Sequence, residues 1–187
     1  MTGAEDCRGV RHAARCGTAR SRRVRLRALM LAGLGGGLLL TLVCPPRPRL
    51  VWNVSASAPV GLYAIGGRDA IAAGDMVLAR VPARWRGLAA ERRYIPANIP
   101  LVKRVAAKDG DKVCAEGGTV VVNGVRRAAR AARDSLGRPM PSWSGCVTLR
   151  RGAYFLLMDD PASFDGRYFG PTLHGDIIGE AWSLWSR

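Results

Sequence analysis

Between Ala28 and Cys44 the chain runs for seventeen residues, ALMLAGLGGGLLLTLVC, without a charged side chain. At about 1.5 Å per residue, a helix of this length is near the lower limit for crossing a bilayer. Its four glycines would weaken a helix in water, but a membrane helix tolerates them. Removal after export does not fit. Thr41-Leu42-Val43-Cys44-Pro45-Pro46 lacks the small residues a cleavage site needs, and Val43 stands where a lipoprotein signal requires a small residue before its cysteine. SRRVRLR (Ser21 to Arg27) approaches a twin-arginine signal but places Arg25 where that signal favours an apolar residue. The segment reads as an uncleaved anchor. Ahead of it, residues 1–27 hold eight arginines against Glu5 and Asp6, a net charge of +6. The positive-inside rule keeps that tail in the cytoplasm. The expected organisation is a cytoplasmic tail (1–27), an anchor in the lipid bilayer (28–44) and an outer domain (45–187).

Pro45, Pro46 and Pro48 stop the helix, because proline lacks an amide proton and its ring clashes with the preceding turn. From Leu50 onward, short apolar runs alternate with Gly, Pro and Asp, the pattern of strands and turns. The runs are 61–65, 76–81, 101–106, 112–114, 119–122, 146–149, 154–158 and 177–184. Asn123-Gly124 between β formers predicts a tight hairpin, since both residues tolerate positive φ. Residues 126–138 are polar and alanine-rich and are expected as an exposed excursion. The fold class is therefore mostly β, preceded by one N-terminal transmembrane helix.

The net charge of +15 invites a nucleic-acid reading. Removing the tail's +6 leaves +9 scattered over the rest, with no basic helix and no aromatic platform, so no nucleic-acid partner is expected. Of the 29 basic residues only Lys103, Lys108 and Lys112 are lysines. In an arginine-rich background, a lysine points to what arginine cannot do, which is to lose its proton. Cys114 and Cys146 fall in the outer domain, where oxidising conditions favour a disulfide over two core thiols. Cys7 and Cys16 belong to the tail and are expected to be reduced. With His12 and His174 far apart, no metal site is expected, and no cofactor.

Three segments carry groups capable of chemistry. His174 is the one histidine beyond the anchor, but no G-x-S-x-G elbow presents a serine to it, so it reads as a loop residue. Asn53 to Tyr63 reads NVSASAPVGLY, a serine loop fixed by Pro59 and Gly61. Ile99 to Ala107 places Lys103 in a strand beside Leu101 and Val105; burial on that face disfavours its charge, unless the stem packs and the ammonium snorkels out. Gly152 to Gly170 runs from a buried strand into a loop containing Ser163, Asp165 and Arg167. Asp165 and Arg167 fit either a functional acid or a structural ion pair.

Together these segments resemble the type I signal peptidases, and among them the TraF-type conjugative transfer peptidases. Those carry an N-x-x-x-S-x-P-x-G-L-Y box, a P-L-V-K-R-V box followed by G-D-x-V, and a third box running from G-x-Y/F-F-L-L to S-x-D-S-R-Y-F-G. Here they are Asn53–Tyr63, Pro100–Val113 and Gly152–Gly170, in the same order behind one anchor, and the likeness covers Val51 to Gly179. The chain departs from the pattern at Ala58, where Met is usual, at Met158 and Asp160 in place of G-D-N, and at Gly166 in place of Ser, which is expected to loosen that loop.

The resemblance implies a signal-peptidase-like catalytic β domain with Ser57 as nucleophile and Lys103 as general base. It adds Asp165 to the catalytic groups, Ser55 to the oxyanion hole and Ser163 as the residue that orients the lysine. The implied substrate is a membrane-tethered preprotein, a prepilin of a conjugative type IV secretion system, cleaved or closed into a ring. The alternatives are a general signal peptidase and a non-catalytic channel-assembly subunit that kept the fold. The implied location is a bacterial inner membrane, crossed once, with the catalytic domain in the periplasm.

Overall fold

A computed structural model describes residues 9–43 and 48–187. The chain divides into two units, 1–47 and 48–187. In the first, helix α1 (Gly9–Val43) runs unbroken for 35 residues through the expected boundary between tail and anchor. Its Val24–Val43 stretch, of mean hydropathy 1.8, is long and apolar enough to cross a membrane and begins four residues before the expected anchor. Arg25 and Arg27 thus lie within its first turns. Its leucines are bare, with Leu29 70% and Leu42 79% exposed. That is a surface suited to hydrocarbon rather than water. Cys44, Pro45 and Pro46, expected to end this helix, lie outside the described residues.

The second unit holds ten strands, all paired antiparallel, in two sheets. The larger contains β1 (Leu50–Asn53), β2 (Gly61–Ile65), β3 (Met76–Ala79), β4 (Leu101–Ala107), β9 (Phe155–Leu157) and β10 (Ile177–Ser186), in the order β1-β2-β10-β3-β4-β9. The smaller contains β5 (Lys112–Glu116), β6 (Thr119–Val122), β7 (Val125–Ala129) and β8 (Gly145–Thr148), in the order β7-β6-β5-β8. Asn123 (φ 50°) and Gly124 (φ 81°) form the predicted β6–β7 hairpin turn. Cys114 and Cys146 face each other across β5 and β8 and are disulfide-bonded. Glu116 lies beside that sulfur pair, but two of the three potential metal ligands there are bonded to each other.

Side-chain alternation builds the core. Val113, Val120 and Val122 of the small sheet pack with Ala107, Phe155 and Leu157 of the large one. On the other side, Tyr63, Leu78, Val102, Met158, Ile178 and Ala181 close around Ala58, which follows Ser57. At about 25 cal/mol per Å², clusters of this kind supply most of the driving force for folding. Gly61 is needed at the start of β2: a Cβ there would lie 2.0 Å from the Trp185 carbonyl oxygen of β10.

Four elements depart from the expected runs. Strand β1 is a half-exposed edge, too short to stand out behind the prolines. The expected excursion at 126–138 begins as strand β7, whose Arg126 and Arg127 face solvent, as an edge strand permits. Helix α2 (Ala83–Glu91) buries only Ala89 and so shows little apolar periodicity. Helix α3 (Gly166–Phe169) is a single buried turn. Gly166 does not loosen it: a Cβ there would lie 2.6 Å from the Leu156 carbonyl oxygen.

Candidate active site

Ser57 stands in the loop between β1 and β2, and Asn53 shapes that loop. Asn53 is the last residue of β1, buried and paired with Gly61. Its Nδ2 donates to the carbonyls of Ser55 (3.0 Å), Ala58 (3.1 Å) and Pro59 (3.0 Å), while its Oδ1 accepts from the Ser55 amide at 3.1 Å. An amide nitrogen carries two protons, so three carbonyls share them. Tyr63 adds a hydroxyl bond to the Pro59 carbonyl at 2.8 Å. One side chain thus replaces the ladder that a loop lacks and turns Ser57 inward. The Ser55 hydroxyl lies 2.9 Å from Ser57 Oγ and accepts from the Ser57 amide at 3.4 Å.

Lys103 arrives from the opposite direction on β4, between β3 and β9. Only 2% of it is exposed, so the snorkelling alternative is excluded. Its Nζ donates to Ser57 Oγ and to Ser163 Oγ, each at 2.7 Å. Burial is the largest influence on its acidity and outweighs the attraction of Asp165 and Asp160, lowering the pKa to about 8. An amine so poised can give up its proton near neutral pH and accept another from a serine hydroxyl.

Ser163 is carried by the loop after β9 and is itself buried. That loop is anchored by Asp165 and Arg167, which are 0% and 1% exposed. The Asp165 carboxylate accepts from Arg167 Nε (2.8 Å), Arg167 Nη2 (3.1 Å) and the amides of Arg167 and Met158 (3.1 Å each). Arg167 also donates to the carbonyls of Met158 and Pro161. Such a fully bonded ion pair fixes the geometry of the loop, while its two charges act in opposite directions on the Lys103 amine. Asp165, expected among the catalytic groups, makes no hydrogen bond to Ser57 or Lys103 and reaches Lys103 through its charge alone, which raises that lysine's pKa. His174 lies exposed against Tyr154, away from the dyad, as expected of a loop histidine.

A groove of about 970 Å³ opens onto Ser57 and Lys103. One wall is the serine loop; the other comprises the turn after α2, with Tyr94, Ile95 and Ile99, together with Asp134 of the excursion and Met140 just beyond it. The sequence brought Ser55, Ser57, Lys103 and Ser163 to this place. It assigned no role to Asn53, although that residue opens the box in which Ser57 lies, and it gave no sign of Tyr94 or Asp134.

Residues 22–185 match the family described as Signal peptidase, peptidase S26. The chain is 33% identical over 168 residues to the plasmid transfer protein TraF of Escherichia coli, covering 84% of this chain and 94% of that one. It is 37% identical over 140 residues to the probable conjugal transfer protein TraF of Sinorhizobium fredii, covering 69% and 73%. With the conjugal transfer protein TraF of Agrobacterium fabrum it shares 31% identity over 173 residues, covering 86% and 95%. A signal peptidase I from Enterococcus faecalis superposes with a TM-score of 0.36 at 19% identity, covering 60% of this chain and 97% of that one.

Proposed function

Since the chain belongs to the signal peptidase family, we propose that it is a membrane-anchored serine endopeptidase in which Ser57 is the nucleophile and Lys103 the general base. The observation that carries this reading is a buried lysine amine 2.7 Å from a serine hydroxyl, with its pKa lowered to about 8 by burial. Neutral Lys103 accepts the Ser57 proton as Oγ attacks the peptide carbonyl. The oxyanion that forms is met by the Ser57 amide and the Ser55 hydroxyl, which are paired to each other in the resting site. Lys103 then returns the proton to the leaving amine. The acyl-enzyme is resolved by water, or by an amino terminus if the product is a ring. Ser163 holds the second Nζ contact and so orients the amine. Asp165 and Arg167 act as positioning residues by fixing the loop that carries Ser163.

The likeness to conjugal transfer proteins supports a membrane-tethered preprotein, a prepilin, as substrate. The arginines ahead of α1's apolar half support a cytoplasmic N-terminus and a periplasmic catalytic domain. Exposed Trp52, Val54 and Trp185 near the serine loop support work at the bilayer surface. The test is processing of the prepilin in cells, or of a quenched peptide with small residues before the scissile bond. Ser57→Ala and Lys103→Arg should each lose roughly a hundredfold to ten-thousandfold in kcat with the fold intact. Substantial activity in Lys103→Arg, whose guanidinium stays protonated, would sink the lysine-base mechanism.

A further inference from the structure

The excursion after β7 serves neither the dyad nor the core, yet it borders the same groove. It folds back on itself through a bridge between Arg133 and Pro139, and the Asp134 carboxylate between them is a junction for four donors. Oδ1 accepts from the amides of Leu136 (3.0 Å) and Arg138 (2.9 Å); Oδ2 accepts from Arg138 Nε (2.7 Å) and from the Tyr94 hydroxyl (2.6 Å). Tyr94 belongs to the turn after α2, so this last bond ties together loops 40 residues apart. Two more bonds reinforce the tie, from Arg138 Nη2 to the Arg92 carbonyl (3.3 Å) and from Arg92 Nη1 to the Pro139 carbonyl (2.6 Å). The Tyr94 ring packs against Phe164 at 5.0 Å, next to the Ser163 that holds Lys103.

We infer that this Tyr94–Asp134 latch builds a distal apolar subsite of the groove, which receives a bulky aliphatic side chain of the substrate at a distance from the scissile bond. The inference rests on the peptidase reading above. Two observations set the chemistry. At about 970 Å³ the groove is at the upper end of the range for binding sites, room for a peptide segment rather than one side chain. The charge of Asp134 in the groove wall is already engaged, since four donors occupy both its oxygens and leave little attraction for a basic residue. What remains on offer is Ile95, Ile99, Met140 and Phe164. The Tyr94 hydrogen bond, foremost among several, holds the Asp134 carboxyl below the usual carboxylate range, so the latch stays ionised at neutral pH.

The test uses the full chain carrying Ser57→Ala in detergent, which binds peptide without cleaving it. The probes are labelled peptides with alanine at the first and third positions before the scissile bond and a single leucine walked along the remaining positions. Leucine at one distal position should tighten Kd about tenfold over alanine, and Tyr94→Phe or Met140→Ala should cut that preference below about threefold. The all-alanine peptide gives each variant its own baseline, against which the leucine preference is read. Tyr94→Phe keeps the ring but loses the bond to Asp134, and Met140→Ala keeps that bond, removing only the 3.3 Å contact of the Tyr94 hydroxyl with the Met140 sulfur, should the first variant melt early. Leucine favoured at no position, or favoured undiminished in both variants, overturns the subsite. Cleavage by the parent, measured in parallel, separates the two readings: cleavage with no leucine preference sinks the subsite alone, whereas a parent that cleaves no peptide sinks the peptidase assignment.

Discussion

Ser57 and Lys103 meet at 2.7 Å, but they are held there in different ways. Lys103 sits inside a sheet, paired with Val77 of β3 and one residue before the stretch of β4 that pairs with β9, so its position is shared among the backbone bonds of that strand. Ser57 rides on a loop at the sheet's edge, and most of that loop's order passes through one amide group, that of Asn53. The proposed base is therefore placed collectively and the proposed nucleophile individually. The loop can be disturbed by one substitution without unfolding the domain, whereas the strand's contribution shows in energetics and pH.

Short of replacing Ser57 or Lys103, the largest effect on rate should come from the loop. Asn53→Ala should lower kcat about a hundredfold, the cost of misplacing a reacting group by about 1 Å. KM should change little, and the melting temperature should fall only modestly, because two of the three released carbonyls belong to exposed residues, Ser55 and Pro59, and only that of Ala58 is buried. A kcat loss matched by equal loss of stability would mean that Asn53 simply holds the domain together, and the contrast would collapse. The strand's signature is a pH profile. Activity should rise with a single ionisation near the Lys103 value of about 8, so that at pH 7 roughly one-tenth of the plateau remains. A rate independent of pH between 6 and 9 would break the assignment.

Smaller, and of opposite sign to most core substitutions, is the stability change in Lys103→Met. A lysine whose folded pKa lies below its unfolded value binds fewer protons when folded, so it destabilises the fold below about pH 8 and ceases to do so above the unfolded value of 10.5. The cost at pH 7 is on the order of 3 kcal/mol, offset by the loss of two hydrogen bonds worth about 1 kcal/mol each. Lys103→Met should be inactive yet about as stable as the parent or slightly more so at pH 7, the advantage shrinking as pH rises toward 10. Denaturant melts at the two pH values would measure it. A variant far less stable than the parent at pH 7 would show that the buried amine is a charged structural group. The smallest effect is expected from Arg167→Lys, which keeps one charge on Asp165 but loses the forked contact; a few-fold fall in kcat with KM unchanged would mark it as a positioning residue.

How far the sequence disclosed all this follows the same contrast. Lys103 was legible because the signal is local: an apolar strand, and one of three lysines among 29 basic residues. Alternation foresaw burial beside Leu101 and Val105, but Val102 is buried too, because this part of the sheet is covered on both faces. Ser57 was legible only through the box in which it lies. What Asn53 does was not, since its bonds depend on the path of the six residues that follow. The Tyr94–Asp134 latch left no trace, for its partners are 40 residues apart and each reads locally as a polar turn. Asp165 was placed in the right loop, but its pairing with Arg167 was left open, because a carboxylate two residues from an arginine reads the same whether it pairs or reacts.

The disulfide adds a matter of timing. Cys114 and Cys146 bracket the stretch that contains β6, β7 and the whole excursion, a closure spanning 32 residues. Strand β8, which carries Cys146, is exposed along its length and has only β5 to hold it. Thiols stay reduced in a cytosol and oxidise beyond the membrane. A chain still on the cytoplasmic side would have its dyad strands but a groove wall held by hydrogen bonds alone, and crossing would add a covalent tether, worth on the order of 3 kcal/mol. Maturation of the groove would then be a record of where the chain has been, and reduced protein should melt earlier and bind extended peptides more weakly while keeping the Lys103 ionisation unchanged. Identical peptide affinities for oxidised and reduced protein would show that the wall needs no such tether.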